Sequence, residues 1–381
     1  MTNTWKIYIL AITSFLVGTS QFVISGILDQ IAVSVGISVA SAGQLITVFA
    51  LGNAIGTPIL IAATAKSNQR KQLLLALTII LLSLLLTVLY NSFGLLIIAR
   101  VIMGMGTGVF VVTAYNLSSR LAKPGKKIGA MANIAMGYNA SLVLGVPIGR
   151  VIASAYNWQI IFWIIGLLAI VATIVIFKFI PSMKGEGIIP LRKQLSLLKD
   201  SRIVIALSIT LFTFLGYSVL NSYIAPFLGS ITDEKYISAI LFAIGIASLA
   251  GSKLGGFTAD HFGKDNTLLS SLILQLIALF GLFLLMNSTI FIVIMLVFWS
   301  VVFMMFGPTQ NYNLISLAPQ AASIMLSLNS SFVQIGFALG SGLGGIVVNL
   351  ADIHSIIWVA LLSTCIAAII GVLFIKQPSK A

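Results

Sequence analysis

Residues 73–88 read LLLALTIILLSLLLTV. This run, Leu73–Val88, is apolar on every face. A surface helix of a soluble protein would show a polar stripe. A strand of a membrane barrel would alternate in polarity over about 10 residues. The run does neither. In hydrocarbon a helix satisfies its own backbone groups, so the stretch reads as a membrane-crossing helix. Its surroundings repeat the pattern. Gln72–Ala99, Val101–Ser119, Ile128–Gly149, Val151–Phe177, Ile203–Thr232 and Ile353–Ile375 contain no Asp, Glu, Lys or Arg. Asn266–Ala351 is uncharged throughout. At about 20 residues per crossing, that run alone holds three spans.

The chain has 381 residues, of which 59% are hydrophobic and 8% charged. Soluble domains are about 25% charged, so an ordinary globular protein is excluded. The apolar stretch from Ile7 is too long for a cleavable signal and reads as the first span. The single cysteine, Cys365, reads as a small packing residue. The expected fold class is therefore all-α, a polytopic membrane protein of twelve transmembrane helices. The spans are expected near 7–32, 41–65, 72–90, 93–117, 128–155, 158–179, 203–229, 236–258, 266–286, 289–313, 321–349 and 354–375.

Net charge is +13, from 21 basic and 8 acidic residues. With the N-terminus placed inside, Arg70, Lys123, Lys253, Lys264, Lys376 and their like all fall at cytoplasmic ends or loops. Only Lys235 lies outside, while Arg100 and Arg150 lie within spans. Basic residues accumulate on the cytoplasmic side of membrane proteins. The excess is thus a topology signal rather than a nucleic-acid footprint. It places both termini in the cytoplasm.

The longest polar connection splits the chain. The expected domains are a six-helix bundle over 1–179, a cytoplasmic linker over 180–201 and a second six-helix bundle over 202–381. Leu191, Leu195 and Leu198 recur at helical spacing in the linker, the pattern of a short helix on the membrane surface. The halves echo each other: Thr64-Ala65-Lys66 with Arg70 matches Thr258-Ala259-Asp260 with Lys264. Parallel repeats of six helices are a transporter architecture.

Four stretches resemble the major facilitator superfamily in its 12-span drug:proton antiporter group. They are Gly18-Thr19-Ser20-Gln21-Phe22, Ala42-Gly43-Gln44 with Phe49-Ala50-Leu51-Gly52, Arg100 with Gly104, Gly106 and Gly108, and Gly145-Val146-Pro147-Ile148-Gly149. The last resembles the fifth-helix motif of exporters. Bacterial permeases that export purine bases and nucleosides, sugars or drugs are similar over the whole length. The resemblance implies two six-helix bundles in a pseudo-two-fold parallel repeat, working by alternating access. It implies a cytoplasmic membrane location and export of a small organic solute, as a proton antiporter. A proton-independent facilitator and a lipid flippase stay open. Gly256–Lys264 resembles the loop motif, in which Lys66, Arg70, Asp260, Gly263 and Lys264 would gate the cytoplasmic side. Gly145, Pro147 and Gly149 would let helices approach and bend.

Relatives commonly carry Glu where this chain has Gln21, and Gln cannot titrate. Ionisable groups in spans are costly unless paired or wet. Asp29, Arg100 and Arg150 all fall in the outer leaflet of the first half. Asp29 is expected within salt-bridge reach of Arg100 or Arg150. Three couplings follow: through Asp29, through a proton on the substrate, or none. Amides and aromatics make up the candidate cavity lining, since unpartnered amides are expensive in a membrane. These are Gln21, Gln44, Asn53, Asn133, Tyr138 and Asn139 in the first half. In the second they are Tyr217, Asn221, Trp299, Gln310, Asn311, Asn329 and Gln334. No phosphate loop, metal cluster or catalytic triad is legible. The expected partners are a small-molecule substrate, the lipid bilayer and protons. No cofactor, metal, nucleic acid or enzymatic activity is expected, and the chain is expected to be a monomer.

Overall fold

A computed structural model of the chain describes residues 4–64, 67–89, 92–122, 127–183, 197–285 and 288–376. Among them twelve helices are long and apolar enough to cross a membrane, and none of the described residues is in a strand. The protein is an all-helical, multi-pass membrane protein.

The chain divides into two compact units, Met1–Ile188 and Ile189–Ala381. The first holds α1 (Thr4–Gly26), α2 (Leu28–Val35), α3 (Val39–Ala63), α4 (Gln69–Leu89), α5 (Phe93–Leu121), α6 (Lys127–Ala140), α7 (Val146–Ala155) and α8 (Trp158–Phe179). A π turn, Ser141–Gly145, joins α6 to α7. The second unit holds α9 (Ser201–Ser222), α10 (Ile224–Gly229), α11 (Glu234–Phe262), α12 (Lys264–Leu284), α13 (Thr289–Leu317), α14 (Ala322–Leu350) and α15 (Ile356–Lys376). The expected amphipathic segment at Leu191 and Leu195 lies outside the described residues.

One packing scheme serves both units. In the first, α3 and α4 pack on α5, α1 packs on α6, α7 and α8, and α4 packs on α8. In the second, α11 and α12 pack on α13, α9 packs on α14 and α15, and α12 packs on α15.

Three expected spans are interrupted. The first, read as 7–32, breaks at Ile27, where φ is −129° and α1 gives way to α2. The seventh, read as 203–229, breaks at Tyr223. Pro226 accounts for that break, because its ring would clash with the carbonyl four residues back, at Ser222. The fifth carries its irregularity just before Pro147. The Val146 N–H bonds to the Ser141 carbonyl five residues back, so an extra residue is absorbed where the proline cannot donate. Gly263, at φ +83°, is the one residue between α11 and α12. A side chain is strained in that region, and glycine is not.

Glycines set how closely the helices approach. A Cβ on Gly104 of α5 would lie 2.1 Å from the Phe49 carbonyl oxygen of α3. A Cβ on Gly251 of α11 would lie 2.1 Å from the Val301 carbonyl oxygen of α13. Cβ atoms on Gly145 and Gly149 would meet Thr19 and Val23 of α1 at 2.5 and 2.2 Å. Backbone atoms cannot yield as flexible side-chain ends do. Gly104→Ala and Gly251→Ala should therefore each lose about 1–3 kcal/mol by overpacking. A Cβ on Gly94 or Gly166 would meet nothing within 4 Å, and their alanine variants should stay within about 0.5 kcal/mol of the parent. Thermal unfolding in detergent measures all four. Equal losses would contradict the packing account.

Candidate functional site

The break at Ile27 builds the first feature. It leaves the Gly26 carbonyl at the end of α1, and Arg150 of α7 donates to it at 2.9 Å. Asp29 sits in the first turn of α2. Arg150 donates to both of its oxygens, Nη1 to Oδ1 at 2.6 Å and Nη2 to Oδ2 at 2.9 Å. The Arg150 side chain is 1% exposed and that of Asp29 is 29% exposed. A two-pronged pair of this kind is among the stronger polar contacts in proteins. Next to it, Gln30 donates to the Ser154 hydroxyl at 3.0 Å. Together they tie α2 to α7. Of the two arginines expected near Asp29, it is Arg150 that pairs with it.

Arg100 does something else. This guanidinium on α5 is buried, and its hydrogen-bond partners carry no formal charge. Nη1 donates to the Ser20 carbonyl and Nη2 to the Gln21 carbonyl, each at 3.0 Å. Nε reaches the Leu45 carbonyl at 3.4 Å, and Nη1 lies 3.0 Å from the Met103 sulfur. The cation stands 4.7 Å from the centre of the Phe49 ring, an attractive placement over an aromatic face. Arg100 thus binds α5 to α1 and α3. The Gln21 side chain accepts a hydrogen bond from the Tyr138 hydroxyl of α6, and the Tyr138 ring meets Phe22 edge-on at 5.5 Å. Gln21 therefore joins Arg100 and Tyr138, through its backbone and its side chain respectively.

The second unit holds a chain of neutral polar groups. Gln310 of α13 donates to the Ala206 carbonyl at 2.6 Å and to the Thr210 hydroxyl at 2.9 Å. Thr210 donates to the side-chain Oδ1 of Asn329 on α14 at 2.8 Å. Asn329 donates to Asn311 at 2.9 Å. Asn313 donates to Gln310 at 3.3 Å, and Lys264 reaches Asn313 at 3.4 Å and Ser316 at 2.6 Å. These bonds satisfy amides that burial would otherwise penalise. Toward the other end of α13, Tyr217 stacks on Phe303 at 3.8 Å and on Trp299 at 5.3 Å.

The remaining expected residues scatter. Gln44 and Asn139 are exposed, Asn53, Asn133 and Asn221 half-buried, and Gln334 buried. Arg70 donates to the Phe177 carbonyl of α8 at 3.3 Å, so it holds the end of that helix within its own unit. Lys66 lies outside the described residues, and Asp260 is placed in the last turn of α11 by its backbone alone. Sequence reasoning missed Phe49 and Thr210. Neither residue type signals a cation seat or a network hub, and their partners lie far away in the chain. Among the described residues no group of three or more His, Cys, Asp or Glu could hold a metal ion.

Twelve apolar spans in two units of one packing scheme, with ionic and amide contacts buried between helices, define a polytopic membrane transporter fold. The Major Facilitator Superfamily model matches residues 10–333, and the chain belongs to that family. It is similar to an uncharacterized MFS-type transporter, YbcL of Bacillus subtilis (strain 168), with 44% identity over 100% of this chain and 98% of that one. The fold matches a D-xylose-proton symporter at TM-score 0.79 and 16% identity, covering 97% of this chain and 96% of the other. It also matches the nucleoside transporter NupG at TM-score 0.76 and 14% identity, covering 98% and 100%. The protein is a transporter of a solute.

Removing one member of the Asp29–Arg150 pair strands the other. Asp29→Asn should cost about 3 kcal/mol, the low end for a broken buried pair because Asp29 is partly exposed. Adding Arg150→Gln to Asp29→Asn should regain part of that loss. Melting in detergent checks both. A single variant as stable as the parent would show that the pair contributes little.

Proposed function

We propose that this transporter exports a small organic solute by alternating access, with proton exchange at Asp29 as the driving step. The Asp29–Arg150 fork carries the reading. An ionised carboxylate only accepts hydrogen bonds, and here both its oxygens are taken by Arg150. Protonating Asp29 and keeping the fork are competing events. A proton arriving from outside would release α2 from α7, and the two arrangements would differ in helix contacts. Such a two-state element is what a coupled transporter needs. In this reading both termini lie in the cytoplasm of a bacterial inner membrane, with a monomer as the working unit.

Export follows from the likeness of Gly145–Gly149 to the exporter motif. The solute class rests on the amides and aromatics. Asn311, Asn329 and Tyr217 suit a small, planar or polar molecule such as a nucleobase, nucleoside, sugar or drug. One observation favours a second reading, facilitated export without a proton: Gln21 replaces the titratable residue common in relatives.

Purified protein in liposomes with an internal pH dye separates the two. A panel of nucleosides, sugars and planar drugs is added, and proton movement is read as each solute crosses. Solute-dependent proton flux is expected from the parent and should vanish in Asp29→Asn. Flux retained by that variant with its pH dependence intact would rule out Asp29 as the coupling site. Solute movement without proton flux in the parent would establish the facilitator.

A further inference from the structure

The seventh span breaks at Tyr223, which leaves α10 as a separate short helix of the second unit. The first span breaks in the same way at Ile27 and leaves α2, which the Asp29–Arg150 fork ties to α7. A different set of groups ties down α10. A 3-10 turn, Ile353–Ser355, precedes α15 and packs against α10, α14 and α15. Asp352 caps this turn: its Oδ1 accepts from the His354 N–H and stands 3.0 Å from the ring Nδ1. The other ring nitrogen, Nε2, lies 3.4 Å from the hydroxyl of Ser230, the residue that follows α10. Ser230 in turn donates to the Phe227 carbonyl at 2.7 Å, and the Phe227 ring meets the imidazole edge-on at 5.7 Å.

The proton count along this chain of groups fixes the state of the ring. An ionised carboxylate only accepts, so Nδ1 carries a hydrogen. A hydroxyl has one proton to give, and the 2.7 Å bond to the Phe227 carbonyl takes it. Nε2 then has to donate to Ser230 as well. Both ring nitrogens donate only in the charged imidazolium. With a neutral ring, Nε2 and the Phe227 carbonyl compete for a single proton, and one of them goes without. The bond from the His354 N–H, ahead of that from the ring, holds the Asp352 carboxyl below the usual carboxylate range. Asp352 therefore stays ionised through the range in which histidine titrates. The neighbouring elements add little charge. Among the described residues α10 and α14 carry no titratable side chain, and on α15 Cys365 and Lys376 lie more than two turns along. At the start of α11, which packs on α10, Lys235 pairs with Asp233 at 3.4 Å beside Glu234.

We infer that His354 is a proton-binding site on the outer surface, and that a proton bound there fastens α10 to the start of α15. Water reaches the site, since the His354 side chain is 34% exposed and that of Asp352 62% exposed. Histidine titrates between about pH 5 and 8, so outside acidity decides whether the chain of bonds is complete. Loss of the proton leaves α10 held by fewer bonds. The two short helices then answer protons in opposite senses: a proton on Asp29 releases α2, and a proton on His354 holds α10. The inference takes its outer placement from the proposed orientation. It does not depend on Asp29 and holds for antiport and facilitation alike.

Hydrogen exchange on the purified full chain tests this. It is read over residues 224–231 at about pH 5.5 and 7.5, on the acid and basic sides of histidine's ordinary range, with exchange times scaled for the intrinsic rate. Amides exchange through local opening, so a fastened α10 exchanges more slowly. The parent should protect this segment about threefold more at the acid pH, the scale of an exposed charged contact. His354→Gln and Ser230→Ala should each erase that difference. His261→Gln removes the chain's other histidine, in the last turn of α11, and should leave the difference intact. Equal protection of the parent at both pH values would overturn the inference. So would a pH difference that survives in His354→Gln or disappears in His261→Gln.

Discussion

A backbone in hydrocarbon has no water to bond, and the structure of this protein depends on that constraint. Each spanning segment closes its own hydrogen bonds as a helix. Interruptions are then costly unless another group answers the freed carbonyls. At Gly26 the answer is Arg150, which bonds the carbonyl and the Asp29 carboxylate at once. Arg100 likewise donates to backbone carbonyls, those of Ser20 and Gln21 within α1. The buried cations therefore serve the helix backbone as much as they serve ion pairs. This is how a chain with 8% charged residues can hold two arginines at 1% exposure.

Close helix approach is the second consequence. Lipid gives helices no hydrophobic reason to associate, so contact and shape must supply it. Glycines at Gly104 and Gly251 bring neighbouring backbones together in the same way in each unit. The units differ in what lies beside these seams. The first places ionic groups on α2, α5 and α7, facing backbone carbonyls of α1. The second is held by neutral polar groups running from Gln310 through Thr210 and Asn329 to Asn311. A shared scaffold with unlike chemistry in its two halves is what repetition followed by divergence would leave.

Much of the fold is legible in the residues. Apolar runs such as Leu73–Val88 have one physical solution in a membrane, and the twelve helices lie where those runs lie. The interruptions were harder to read. Pro226 and Pro147 announce trouble, yet whether the chain breaks, as at Tyr223, or inserts a π turn, as at Ser141–Gly145, depends on neighbouring helices. Ile27 carries no such warning. Several residues read as cavity lining, Gln310 and Asn329 among them, also bond other helices. Polarity in a span says only that a partner exists.

The sequence by itself determined that this protein lives in a bilayer, that it is built of helices, and that Asp29, a carboxylate within an expected span, calls for a cation. Hydropathy and charge decide those things locally, residue by residue. Only the tertiary structure decided that the cation is Arg150, that Arg100 is seated on carbonyls and the Phe49 ring, and that His354 meets Ser230. Those outcomes turn on which helix faces meet and where each helix ends. Both are set by contacts between residues far apart in the chain, which no local pattern encodes.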